Sequence, residues 1–368
     1  MPKIEITRTE LVWPGKYDED GNLVAPRRVS LPFQVIERVS ETRATRQKRE
    51  ADKKGHVATL FDYWQDEKGQ TSDSGDGWRN KLIWGDNVYV MGSLLEKFAG
   101  KIDLIYIDPP FATGADFSIS TEIGENSLDI SKEQSIIEEK AYRDTWGGGL
   151  DTYLGMLSER LSLLKELLSE TGAIFVHLDV HTGPFVKVMM DELFGRNNFQ
   201  NQIAWYYYNK LHGRSKRCLP KAFDIILYYV KNKEGTYTFH TLTEPRDEPI
   251  KKLKYSFING KIVNDKDENG KTITYESTER QVDNVWRIRC LQPANLEEWV
   301  DFDTQKPVDL IERVLQVGSN EGDLILDVFC GSGSSLVAAE RLGRRWIGCD
   351  LGRYAIHTTR KRLMGIPN

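Results

Sequence analysis

From Pro307 onward the chain alternates between two hydrophobic periods, and that alternation restricts the fold more than any other feature. The spacing predicts a helix over Val308 to Val317, a strand over Leu324 to Val328 and a helix over Ser334 to Leu342. A strand over Arg345 to Cys349 and a helix over Tyr354 to Leu363 follow. Strand and helix in turn build a parallel α/β sheet with helices on both faces. Upstream, the apolar runs Ile102 to Ile107 and Ala173 to Leu178 read as buried strands. Leu154, Leu157, Leu161, Leu164, Leu167 and Leu168 recur at three- and four-residue spacing and predict a helix closed by Gly172. Pro184 opens another that runs through Phe194.

The remainder reads differently. Residues 1–78 carry turn signals and little periodicity, and are expected to form an extension lying on the main domain. Residues 112–148 predict a long polar loop. From Asn201 to about Val285, β-branched and aromatic residues with Asn259-Gly260 and Asn269-Gly270 turns predict hairpins. No stretch reaches the roughly 18 apolar residues of a membrane span, and Met1 to Glu5 lacks the apolar run of a signal peptide. Cys218, Cys290, Cys330 and Cys349 show no metal-ligand spacing. A cytoplasmic setting without a metal site or disulfide framework is therefore expected, with Cys330 a packed thiol. His177 and His181 beside Asp179 lack a third ligand in register and read as structural.

Two segments carry chemistry. Leu326-Asp327-Val328-Phe329-Cys330-Gly331-Ser332-Gly333-Ser334-Ser335 joins a strand to a helix, where two glycines permit a tight turn and a close ligand approach. Asp350 ends the next strand, 17 residues after Gly333, where an acid can grip ribose hydroxyls. Leu336 stands where a third glycine of a dinucleotide fingerprint would fall, and no phosphate-cradling GxxxxGK[ST] is present. A nucleoside without a pyrophosphate fits, S-adenosylmethionine being the common one. The second segment, Asp108-Pro109-Pro110-Phe111, follows a buried strand. Its stiff turn can aim a carboxylate and a carbonyl at one point, with a flat ring beside them. From these four residues alone, a capping Asp with a core Phe explains the pattern equally well.

At these residues the chain resembles the amino-methyltransferases of DNA in their beta arrangement, where the catalytic motif precedes the cofactor motif. It looks closest to adenine-specific enzymes related to the modification subunits of type III restriction systems. The matching text is Asn80 to Asn87, Ile105 to Phe111, Ser158 to Asp179, Thr304-Gln305-Lys306-Pro307 and Gly322 to Leu363. Ser334-Ser335 stands where Thr-Thr is commoner. The resemblance implies a Rossmann-like methyltransferase sheet with circularly permuted motif order. Its parts would be an N-terminal extension (1–78), a catalytic half (79–230), a small β-rich target-recognition insertion (231–284) and a cofactor-binding half (285–368).

The same resemblance implies that Asp108 and the Pro109 carbonyl accept hydrogen bonds from the target amino group, with Pro110 shaping the turn and Phe111 stacking on the base. Asp327, Gly331 and Gly333 would line the methionine end of S-adenosylmethionine, with Phe329 also binding the cofactor. Asp350 would hold its ribose, Asp86 would lie near its adenine, and Thr304 and Lys306 would close over its carboxylate. An acid at position 108 leans towards adenine N6, with cytosine N4 the nearest alternative. RNA or protein glutamine substrates, a silent DNA-binding subunit and a dehydrogenase are more distant readings.

The implied partner is double-stranded DNA, beside a nucleoid setting, a restriction nuclease or helicase subunit and a second copy of the chain. The formal net charge of −5 does not oppose this, because the charge is segregated. Arg38 to Lys54 holds seven basic residues against three acidic ones, and Lys210 to Arg217 is basic with no acid. Arg214, Lys216 and Arg217 are the expected phosphate contacts, next to the aromatic run Trp205 to Tyr208.

Overall fold

The computed structural model describes residues 9–37, 39, 78–110, 119–123, 128–132, 149–210, 219–292, 298–300, 302 and 304–366. In chain order the elements begin with β1 (Lys81–Trp84), α1 (Asn87–Phe98), β2 (Ile102–Ile107), β3 (Ile119–Ile123) and β4 (Leu128–Lys132). They continue with α2 (Leu150–Leu167), β5 (Leu168–Leu178), α3 (Gly183–Met190), β6 (Phe199–Tyr206) and β7 (Phe223–Val230). Next come β8 (Thr243–Leu253), β9 (Tyr255–Ile258), β10 (Lys261–Asn264), β11 (Thr274–Gln281) and β12 (Val285–Arg287). The chain closes with α4 (Val308–Gly318), β13 (Leu324–Asp327), α5 (Ser334–Arg341), β14 (Arg345–Asp350) and α6 (Arg353–Leu363).

Eight strands form one sheet in the order β1-β14-β13-β2-β5-β7-β6-β12. From β1 to β5 the neighbours run parallel, whereas β7 is antiparallel to both β5 and β6. Alternate strand residues feed two cores. Ile105, Ile107, Ile174, Val176, Leu326 and Ile347 face α1, α2 and α3. Leu104, Tyr106, Phe175, Ile226 and Ile325 face α4 and α5. This period-two division is why the strands read as unbroken apolar runs: both faces are covered.

The order places a switch point between β13 and β2. From β13 the chain crosses through α5 to β14 on one side, and from β2 it crosses through α2 to β5 on the other. A crevice opens at the carboxyl ends of two such strands because neither crossover covers it. Asp108 and the glycine segment after Asp327 lie there.

Three expectations need correction. The helix opened by Pro184 stops at Met190, and residues Asp191–Gly195 form a π-turn. The sequence pattern predicts no element between residues 78 and 102, yet this segment holds β1 and α1. Four residues of strand were too short to stand out, and α1 depends on Asp86, which caps it by accepting a hydrogen bond from Val88 N at 2.9 Å. Inside the expected loop 112–148, β3 and β4 pair as a hairpin. The aromatic run alternates as a strand does, with Trp205 and Tyr207 buried and Tyr206 and Tyr208 exposed.

Residues 9–37 do lie on the main domain. Trp13 joins the core beside α2, and buried Lys16 bonds Glu10, the Leu11 carbonyl and Glu192 at 2.8–2.9 Å. Arg27 pairs with Glu159 of α2, and Glu37 with Arg360 of α6. A β-carbon on Gly92 of α1 would stand 2.4 Å from the Val29 carbonyl oxygen, so the strap crosses α1 at backbone contact.

Leu336, which breaks the glycine fingerprint, has a physical explanation. A β-carbon on Gly348 of β14 would lie 2.3 Å from Leu336 Cδ1 and 3.2 Å from its Cγ. Helix and sheet approach closely here with the glycine on the strand and the bulk on the helix. Gly348→Ala is expected to cost about 1–3 kcal/mol through overpacking. Combining it with Leu336→Val should recover part of the loss, because contacting sites couple. Urea unfolding of the three variants measures this, and strictly additive effects would refute the contact as the cause.

Candidate active site

The glycine segment is held by carboxylates. Asp327 ends β13 with 2% of its surface exposed and accepts hydrogen bonds from Phe329 N at 2.9 Å and from Ser335 Oγ. Asp350 ends β14 and accepts from Gly331 N at 2.8 Å and from Gly352 N at 2.8 Å. Gly331 and Gly333 have φ of 50° and 80°, the left-handed region that costs a side chain energy. At Gly333 the close neighbour is Thr359 of α6, whose Oγ1 would stand 2.6 Å from an added β-carbon. The same hydroxyl donates to the Gly331 carbonyl at 2.9 Å. Gly333 therefore makes room for α6, while Gly331 faces the ring of Phe302, which stacks on Tyr354 at 5.8 Å.

Burial raises the Asp327 pKa to about 7, with Asp108 and Asp350 adding to the rise and the Ser335 and Phe329 hydrogen bonds opposing it. Taking a carboxylate out of water disfavours its charge, and here that outweighs the two donors. Burial likewise pushes the thiols of Cys330 and Cys349 well up, as expected of packed, unreactive sulfur.

Several residues that support the crevice escaped the sequence reading. Asn87 Nδ2 donates to the Val328 carbonyl at 2.9 Å, and Arg160 Nε donates to Asn87 Oδ1 at 2.6 Å. Arg160 also lies 3.4 Å from Asp86. The start of α1, the leucine-rich α2 and the glycine segment are thereby fastened together. The available signal was Arg160 itself, a charge set within the apolar spacing of Leu157, Leu161 and Leu164.

Across the switch point, Asp108 follows β2, with Pro109 buried. Its Oδ2 forms an ion pair with Lys306 Nζ. Lys306 is placed from two sides: its carbonyl accepts from Ser334 Oγ at 2.6 Å, and neighbouring Gln305 bonds Val300 N and the Glu298 carbonyl. Thr304 is exposed, and its carbonyl lies 3.5 Å from Lys306 Nζ. Phe111, Arg214, Lys216 and Arg217 lie outside the described residues. Behind Asp108, Tyr106 bonds His177 Nδ1 at 2.9 Å, and His177 Nε2 lies 3.6 Å from Asp224. Asp179 accepts from Thr182 N and Oγ1, ahead of α3.

This donor set discriminates among nucleotide ligands. A phosphate cradle offers free loop N–H groups. Here the N–H groups of Phe329 and Gly331 are directed to Asp327 and Asp350, and Asp108 and Asp86 follow β2 and β1 at the same sheet edge. Such a site disfavours a phosphate and suits a nucleoside carrying positive charge.

The state of Asp327 gives a pH signature. The folded chain keeps a proton that an unfolded aspartate, with an ordinary value of 3.8, has already lost. Stability should therefore fall as pH rises from about 4 to about 7, at up to about 1.4 kcal/mol per unit, and level off above. Asp327→Asn should remove this slope. Urea unfolding across that pH range tests it, and an undiminished slope in the variant would exclude Asp327 as the source.

Over 332 residues the chain is 27% identical to type II methyltransferase M.EcaI of Enterobacter cloacae, covering 77% of this chain and 69% of that one. It is 25% identical over 334 residues to the StyLTI Mod subunit, a type III restriction-modification enzyme of Salmonella typhimurium, covering 72% of this chain but half of that one. Among solved structures, the M1.HpyAVI–SAM complex overlays with a TM-score of 0.49 at 18% identity, covering 77% of this chain and 98% of that one. The family model described as DNA methylase, of the N6/N4 group, matches residues 102–361, and the chain belongs to that family.

Proposed function

We propose that the chain transfers a methyl group from S-adenosylmethionine to the N6 amino group of adenine in duplex DNA. The observation that carries this reading is the placement of Asp108-Pro109 and the Gly331–Gly333 turn on opposite sides of one switch point. The cofactor, when bound, supplies a methyl group activated by a sulfonium. Gly331 gives it a close approach, and Asp350 and Asp86 are the acceptors for its hydroxyl and amino groups. The permuted order fits, since the Asp108 strand precedes the glycine strand in sequence and lies next to it in the sheet.

An exocyclic amino nitrogen is a weak nucleophile because its lone pair is delocalised into the ring. Hydrogen bonds to the Asp108 carboxylate and the Pro109 carbonyl favour a pyramidal nitrogen and free that pair. Both acceptors sit on a stiffened turn, so orientation supplies much of the rate. A base within the duplex is out of reach of Asp108 and must be flipped, at a cost of a few kcal/mol. Phe111 is the proposed stacking surface. The acid at position 108 leans towards adenine. Relatedness to a type III Mod subunit supports a restriction partner for this chain, and a homodimer is a further proposed assembly.

Asp108→Ala should leave cofactor binding intact and lower methyl transfer by about two to three powers of ten. Mass spectrometry of digested DNA should show N6-methyladenine for the unaltered chain. N4-methylcytosine would overturn the base assignment, and near-normal turnover of the variant would remove Asp108 from the mechanism.

For the DNA track, replacing Arg214, Lys216 and Arg217 together by Ala should weaken binding to every sequence alike. It should flatten the dependence of log affinity on log salt by up to about three units. An unchanged slope would place the phosphate contacts elsewhere.

A further inference from the structure

At the carboxyl edge of the sheet, the face that carries Tyr106 and His177 is crowded with acids. Asp108 follows β2, Asp327 ends β13, Asp350 ends β14 and Asp224 is the second residue of β7. Lys306 enters from the segment before α4 and pairs with Asp108, the two side chains being 12% and 17% exposed. Asp224 is a second acid at the same sheet edge, two strands from Asp108 in the order β2-β5-β7, with His177 of β5 lying 3.6 Å from it. Burial opposes its charge, but His177, Lys306 and Lys210 outweigh burial and lower its pKa. Tyr207 OH donates to Asp224 at 3.3 Å, and Lys210 lies over the Tyr207 ring at 5.0 Å.

The ion pair bears on the reading given above, on which this inference rests. A sulfonium brought to the crevice is a second cation near Asp108, and two cations in a partly dehydrated site repel strongly. We propose that Lys306 is the resident counterion of Asp108, a positioning residue that gives up the catalytic carboxylate when the cationic cofactor arrives and turns to Asp224. The lysine then orients Asp108 in the cofactor-free enzyme and leaves its oxygens to the amino group in the loaded one. Once the methyl group has been transferred, the cofactor product is a neutral thioether, and Lys306 can return. Asp224, held by Tyr207 and His177, is the place where the lysine waits.

A charge-sensing role separates from a simple grip on the cofactor's carboxylate, because S-adenosylmethionine and S-adenosylhomocysteine share that carboxylate and differ in the charge on sulfur. Calorimetry on the full chain gives the dissociation constants of both ligands. Lys306→Met should raise the preference for the sulfonium over the thioether by about tenfold, the order expected for a screened repulsion between neighbouring charges. Lys306→Arg should leave the preference unchanged. Asp224→Asn should shift it the opposite way, because the lysine then has no second anion to receive it.

In an Asp108→Asn background, the Lys306→Met effect should vanish. Equal weakening of both ligands by Lys306→Met would overturn the proposal in favour of a carboxylate clamp. Persistence of the shift in the Asp108→Asn background would overturn it too, by making the effect general rather than local to Asp108. Absence of binding of either ligand by the unaltered, folded chain would instead refute the methyl-transfer reading, and this inference with it.

Discussion

The crevice depends on how β2 meets β13. The pairing is parallel and registers Leu104 with Ile325 and Ile105 with Leu326. That register brings the ends of the two strands, and so Asp108 and Asp327, to the same edge of the sheet. These strands are more than 200 residues apart in sequence, and each leads its crossover helix away from the other. The polar ends of the strands are thus left uncovered while their middles are fully buried. One charge at this junction reaches several groups: Asp108 contributes to the raised pKa of both Asp327 and Tyr106.

Holding that edge in place is divided among remote parts of the chain. Arg160 and Asn87 tie α2 and α1 to the Val328 carbonyl. Thr359 ties α6 to the glycine turn, and Arg362 of the same helix donates to the Ser332 carbonyl at 2.8 Å. The strap of residues 9–37 then touches α2, α1 and α6 in succession through Arg27, Val29 and Glu37. It thereby joins helices from both sides of the switch point. A surface ion pair such as Arg360–Glu37 contributes little by itself. The backbone contact at Gly92 and the buried Trp13 and Lys16 carry more of the attachment, because burial cannot be replaced by solvent.

The sequence was most legible where a residue's role is local. The strands after Gly100 and Gly322 and the leucine-rich helix follow from periodicity, and Asp350 follows from its place at the end of a strand. Roles set by contacts across the fold were not legible. A β-carbon on Gly333 would meet Thr359 of α6. Leu336 looked like the loss of a close-packing glycine, which Gly348 supplies from the adjacent strand. Asp327, in the glycine motif, accepts a hydrogen bond from Ser335. Lys306 pairs with Asp108. In each case the partner lies on another element, from 8 residues away for Ser335 to 198 for Asp108, and no local spacing encodes it.

The charge economy of the crevice follows from the same tertiary contacts. A turn of the form Gly-Ser-Gly before a helix is chemically ready for an anion, since the first helical N–H groups are unpaired. Here two carboxylates reach the turn first. Asp327 takes Phe329 N and Asp350 takes Gly331 N, each at 2.8–2.9 Å. Asp350, and Asp327 once it loses its proton, thus occupy the donors that the turn would otherwise offer to an anion. Among the described residues, Lys306 brings a positive charge to Asp108. In the proposed charge-sensing role, Lys306 is a movable cation suited to a ligand whose own charge changes during the reaction.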